Sequence, residues 1–293
     1  MHALLKIEIY KIFKRPRTFI AFGVIAVIII LIQVALKFGG EEYIGLMLSG
    51  MGDSFETIEA TKILNGYFVC SIILNLLLIH IPILVALVAG DAIAGEANMG
   101  TLRLLITKPI SRIKLLLVKF IASVFYTMLL LIWVAILALF ISLVLFGTNW
   151  LAVPRGLEFN LIESDDILWR YMLAFAFSAI GLICVAALAF MLSVFADNSI
   201  GPIVATVCII IVFTILTQLP IPFYDETIKP YLFTTHMLGW KGFFYVKGID
   251  GVTVKGSIEN LSAILKSAAV LIGYTIGFLA IGIWYFNKKN ILS

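Results

Sequence analysis

At 293 residues, 62% hydrophobic and 13% charged, with a mean hydropathy of +1.12, the chain lies far outside the range of soluble domains, of which about 25% is charged. Its net charge of +4 would suit an anionic partner in a soluble protein, but in so apolar a chain the distribution of charge matters more than the sum, and nucleic acid is not implied. The connections between apolar stretches are too short or too apolar for a second globular unit, so residues 1–293 read as a single membrane domain.

The first element is a helix over residues 1–16. Leu5, Ile9, Ile12 and Phe13 recur at helical spacing, Glu8, Lys11 and Arg15 fall on the opposite face, and Pro16 ends the pattern. Such a helix is expected to lie in the headgroup layer of a membrane, where its basic side chains favour anionic lipid.

Six stretches without Asp, Glu, Lys or Arg follow, at residues 18–36, 63–90, 120–154, 171–196, 198–224 and 267–287. They are 19, 28, 35, 26, 27 and 21 residues long, and a helix needs roughly 20 apolar residues to cross a bilayer. None alternates as a barrel strand does, so the prediction is an all-α polytopic membrane protein with six transmembrane helices. The first stretch exceeds the roughly 7 to 15 residues of a signal-peptide core and lacks a small-x-small cleavage site, and it reads as a retained span. Cys70, Cys184 and Cys208 all fall inside spans and read as free thiols.

Between the second and third stretches runs the connection 91–114. Asp91 and Glu96 stand where a helix leaves the bilayer, Gly95 and Gly100 permit a sharp redirection, and Thr101 is placed to cap a short helix reaching about Ile106. Pro109 stops that helix, and Ser111 caps the one that climbs into the third span. The physics leaves two readings open: a solvated elbow, or a docking helix on which a soluble partner pushes. Further along, Ala196-Asp197-Asn198-Ser199 and Gly201-Pro202 leave almost no loop, which makes the fourth and fifth spans antiparallel neighbours. The outer connection 220–266 is dense in aromatics such as Phe223, Tyr231, Trp240 and Phe244, and partly inserted short helices are expected there. On the last span Ala269, Gly273 and Gly277 make one small face, for packing against another span or against a second subunit.

With six crossings the termini share a side that carries 12 basic and four acidic residues, against nine basic and 13 acidic on the other. Both termini are therefore expected in the cytoplasm. Catalytic and metal residues are not found: there is no HExxH, no Cys or His pair at metal spacing, no G-x-S-x-G and no P-loop. His80 is the one ionisable candidate inside a span, two residues before Pro82, and reads as a histidine bonded at a proline kink or as a proton site. The readings at this point are a partner-driven transporter, a stand-alone secondary transporter or channel, and a membrane scaffold or lipid-processing enzyme.

The run Asp91, Gly95-Glu96, Gly100-Thr101, Leu102-Arg103, then Thr107-Lys108-Pro109-Ile110-Ser111-Arg112 and the later Lys119, resembles the cytoplasmic-loop signature of ABC-2 type permeases, the membrane subunits of one class of ATP-binding-cassette exporters. The likeness extends to the N-terminal helix, the six spans, the long outer connection with Thr234-Thr235-His236-Met237, and the tail Phe286-Asn287-Lys288-Lys289-Asn290-Ile291. It implies a multi-pass permease in a bacterial plasma membrane that binds no cofactor itself. Such a chain pairs with a second permease subunit, as a homodimer or heterodimer, and with ABC ATPase subunits that hold the ATP and Mg. Asp91, Glu96, Gly100, Thr101, Arg103, Pro109 and Arg112 would then carry coupling to the ATPase, and Gly273 and Gly277 helix packing.

Overall fold

The computed structural model describes residues 2–49, 63–102, 110–155, 158–249 and 252–289. Helix α1 (His2–Lys14) ends just before α2 (Pro16–Ser49), whose first residue is a proline, tolerated there because its missing N–H would have no helical partner anyway. Helix α2 continues well past residue 36, through Lys37, Glu41 and Glu42, so the charge-free stretch is only its middle.

The second apolar stretch is not one straight helix. It consists of α3 (Gly66–Leu76) and α4 (His80–Ala89), bent by 53°. The Asn65 side chain accepts from the amides of Tyr67 and Phe68 and so caps α3. At the break, Pro82 has no N–H to give, and the His80 ring nitrogen Nδ1 lies 2.9 Å from the Leu76 carbonyl, with the ring exposed. This is the kink reading of His80.

Helix α5 (Ala94–Asn98) is a single short turn. The third span comprises α6 (Arg112–Ala135), a π-helical turn over Ile136–Ile141 and α7 (Ser142–Phe146), together 35 residues. A π turn loosens the backbone ladder. Gln33 of α2 sits against it, donating from Nε2 to the Leu137 carbonyl at 2.8 Å and to Ser142 Oγ at 2.9 Å.

The expected third span to residue 154 is too long. Gly147, at φ 74, ends the helix, and Leu151–Arg155 forms strand β1, antiparallel to β2 (Glu158–Ile162) with Leu151 opposite Ile162. Absence of charge does not distinguish a helix inside lipid from an apolar hairpin at its edge. Helices α8 (Leu168–Phe195) and α9 (Ile200–Gln218) follow and pack together, as the tight turn between them requires.

The second connection at that end does contain short helices, α10 (Pro222–Thr227) and α11 (Phe233–Met237) with 3-10 turns at Lys229–Tyr231 and Leu238–Phe244. It also contains an unexpected small hairpin, β3 (Gly248–Ile249) with β4 (Val252–Thr253). Helix α12 (Leu261–Lys288) closes the chain. Among the described residues five helices are long and apolar enough to cross a membrane, and six crossings result when the bent pair counts as one. The chain is an all-α polytopic membrane protein.

Helix α8 is the hub, with α4, α6, α9 and α12 around it. The Phe120 and Phe190 rings meet edge to face at 5.6 Å, as do Phe195 and Tyr285 at 4.7 Å. Gly282 lies in the α8–α12 contact, where a Cβ would make an ordinary van der Waals contact 3.7 Å from the Met191 Cα. At Gly273 and Gly277, by contrast, a Cβ would meet nothing within 4 Å, so that small face does not pack against another described span.

Arg170 of α8, which is fully buried, ties the Leu238–Phe244 turn and the segment after β4 to this helix. Its Nη2 meets Asp166 Oδ2 at 2.6 Å and donates to the Ser257 carbonyl at 2.8 Å, while Nη1 donates to the Phe243 carbonyl at 2.7 Å. Asp166 Oδ1 in turn accepts from Trp169 Nε1 and the Gly256 amide. One guanidinium fork thereby satisfies carbonyls from two separate segments.

Candidate functional site

At the end of the bundle where α1 begins, four charged side chains from three separate segments meet, three of them buried and Lys11 part-exposed. Lys119 of α6, 2% exposed, places Nζ 2.7 Å from Glu8 Oε2 and 2.7 Å from Glu96 Oε2. Lys11 bridges the same two carboxylates, 2.8 Å from Glu8 Oε1 and 2.9 Å from Glu96 Oε1. Two carboxylates and two ammoniums thus close a neutral ring. A buried charge is sustainable only in such company.

Helix α1 is therefore turned differently from the sequence expectation. Its charged face, Glu8, Lys11 and Arg15, is the face against the protein, while Ile7 and Tyr10 are exposed. The physical reason is that the counter-charges lie across the gap, on Lys119, Glu96 and Asp91, and are stronger partners than solvated headgroups. Burial raises the pKa of Glu8, but Lys119 and the hydrogen bonds from Lys11 and Lys119 outweigh it, and the carboxyl is held below its usual range. Burial likewise works against the Lys11 ammonium and is outweighed by its bonds to Glu8 and Glu96, so its pKa rises.

A second node adjoins the ring. Asp91 receives both Arg15 and Arg17, from the two sides of the α1–α2 junction. Gly95 is required here: the Asp91 carboxylate occupies the space that a Cβ at residue 95 would need. The turn between them is fixed from another direction by Ser193 of α8, whose Oγ accepts from the amides of Ile93 at 3.1 Å and Ala94 at 2.9 Å. The segment 91–98 is thus tied to α1, α2, α6 and α8 at once.

Beyond it the chain emerges. Asn98, Met99, Gly100 and Thr101 are exposed, and Gly100 adopts φ 70, a conformation that favours glycine. Thr101 is already helical and its hydroxyl donates to the Glu96 carbonyl at 3.3 Å, so it is part of the next helix rather than its cap. Arg103 and Pro109, and the expected helix to Ile106, lie outside the described residues. Ser111 does cap α6, accepting from the Lys114 amide at 3.3 Å. Arg112 turns away from this group to the last helix, donating to the carbonyls of Phe286, Asn287 and Lys289 at 3.0–3.3 Å. It caps the C-terminus of α12, where a cation is favourable. Lys289 Nζ reaches Asp197 at 2.7 Å. The first and last helices accordingly end on the same side of the bundle.

The structure brings Asp91 and Glu96 together as buried anchors and leaves Gly100 and Thr101 as surface. Glu8 and Lys119 complete the site. In the sequence Glu8 reads only as part of a polar helix face and Lys119 only as the end of a motif. The signal that could have joined them is that Lys119 follows the start of a 35-residue apolar helix by two turns, where an unpaired lysine is costly.

The fold and this charge cluster define a polytopic helical membrane protein whose basic end is locked by internal ion pairs. Residues 24–292 match the family described as "Protein of unknown function (DUF2705)", and the chain belongs to that family. It is also similar to "Uncharacterized protein YhcI" of Bacillus subtilis (strain 168), 25% identical over 214 residues, 71% of this chain. The match spans 63% of that relative's own length.

Proposed function

We propose that the chain is the permease subunit of an ATP-driven exporter of the ABC-2 type, in a bacterial plasma membrane with both termini cytoplasmic. The ATP and Mg are held by separate ATPase subunits, and a second permease copy or sister chain completes the transporter. The observation that carries this reading is the way segment 91–98 is held. A single exposed turn, Asn98 to Thr101, is mounted directly on a buried ring that joins α1, α5 and α6. Ion pairs of this kind transmit a push without yielding, so a displacement of the turn becomes a displacement of the spans. In this reading α1 is an interfacial strut and the segment that follows Gly100 seats in a groove of the ATPase.

The stand-alone transporter or channel gains less support. Its candidate proton site, His80, is occupied with the Leu76 carbonyl at the kink and has no carboxylate beside it among the described residues.

The test is direct. A photo-crosslinking amino acid at Met99, in membranes of the native host, is expected to capture a protein that carries a P-loop and hydrolyses ATP, and the same reagent at Phe38 is not. Arg103→Glu is expected to lower co-purification of that ATPase while leaving membrane insertion intact. Crosslinking to lipid only, or unchanged co-purification in the Arg103→Glu chain, would overturn the assignment.

A further inference from the structure

At the opposite end of the bundle a cavity of about 210 Å³ lies between α3, strand β1 and the Leu238–Phe244 turn. Its walls are mostly apolar, from Leu151 to Val153 with Trp240 and Phe244, but Ser71, Asn75 and Lys241 also line it. Lys241 is half-buried, and among the described residues no carboxylate lies within ion-pair distance of it; its ammonium rests 5.8 Å from the Trp240 ring centre. Burial pushes its pKa down, the mark of a cation short of anionic company. Asn75 spends one amide proton on the Ser71 carbonyl at 2.8 Å, which leaves its second proton and its oxygen for another partner.

A smaller apolar slot of about 50 Å³ begins on the other side of Trp240 and follows the broken span past Leu74, Leu78 and Pro82. Trp240 is a wall of both spaces, and Leu74 and Asn75 are adjacent on α3. Asn75 stands nine residues into α3, about 14 Å along the helix from its start, so in a bilayer crossed by this span the chamber would lie alongside the apolar layer. A soluble anion would have to leave water to reach it. An amphiphile already in the bilayer would not.

We propose that this chamber binds the anionic head, carboxylate or phosphate, of a membrane-borne amphiphile whose hydrocarbon chain lies in the slot beside the bend of the second span. Lys241 supplies the charge, Asn75 a hydrogen bond, and Trp240 divides head from chain. The inference concerns binding by this chain alone and goes beyond the exporter reading: ATP is not needed for it, and its failure would leave the crosslinking result at Met99 untouched.

The purified chain in phosphatidylcholine nanodiscs is titrated with dansylaminoundecanoic acid, reading energy transfer from tryptophan. Saturable binding is expected. It should weaken by roughly tenfold or more for the methyl ester of the probe and for Lys241→Gln, the loss of one charge-assisted hydrogen bond, and Lys241→Arg should restore it. Ala152→Trp, which fills the chamber from β1 without touching Lys241, should abolish binding, and serves if the lysine variant fails to fold. Absence of saturable binding, equal affinity for the ester, or unchanged binding by both Lys241→Gln and Ala152→Trp would overturn the proposal. So would displacement of the probe by millimolar inorganic phosphate, which would make this a site for a free anion.

Discussion

Lys119 illustrates how one side chain sets the energetics of a whole end of the molecule. Its ammonium is shared between Glu8 and Glu96, so truncation leaves two buried carboxylates with only Lys11 between them. Lys119→Ala is expected to destabilise the fold by about 3–5 kcal/mol, the cost of orphaning a buried charge. The triple change Lys119→Met, Glu8→Gln, Glu96→Gln should recover most of that loss, because it removes the three buried charges together and leaves only the part-exposed Lys11. Thermal unfolding in detergent distinguishes the outcomes, and equal melting of the single and triple variants would contradict the ring. None of this was legible from periodicity: Glu8 looked like one more charge on a helix face, and only its buried partner Lys119, 111 positions away, gives it meaning. Gln33 was hidden for a related reason. A search for uncharged stretches passes over an amide, yet that amide serves a carbonyl of the π turn on another span.

Helices, by contrast, were legible where length and apolarity alone decide them. The five long apolar helices and the bent pair fall where charge-free stretches predicted, and the cap at Ser111 follows from ordinary N-cap chemistry. What the stretches could not give was where each helix stops. Leu151–Arg155 is as apolar as a span but is a strand, because Gly147 turns the chain and β2 offers a partner. The docking of α1 carries a pH dependence with a definite sign. The Glu8 carboxyl is lowered in the folded state, so its contribution is present above the ordinary glutamate value of about 4.3 and is lost as pH falls below it. Lys11 is raised, so its contribution is present below about 10.4 and is lost as pH climbs beyond. A spin label on Tyr10 should therefore report a fixed α1 across neutral pH and release in acid, and Glu8→Gln should blunt the acid limb. Release at neutral pH would show that the ring does not hold the helix.

The whole molecule is asymmetric in its rigidity. Ion pairs lock one end, and Arg170 with the segments it ties locks the other, while between them the second span is interrupted and the third is loosened by a π turn. The last span presents Gly273 and Gly277 to open space, the surface that the proposed second copy of this chain would use. Gly273→Leu with Gly277→Leu is expected to leave the melting temperature of the monomer nearly unchanged and to abolish self-association measured by native mass spectrometry. A large drop in monomer stability would mean instead that the face is needed within one chain. The six residues of the π turn carry a further consequence. A π turn accommodates one residue more than the α-helix it interrupts, so excising a single residue from Ile136–Ile141 would let that stretch rewind as α-helix while leaving the two flanking halves in nearly the same angular phase. Ser142 would keep its side toward Gln33, and the hairpin leading out of the span would keep its direction. The widened turn thus absorbs an added residue locally and spares the rest of the third crossing a change of face.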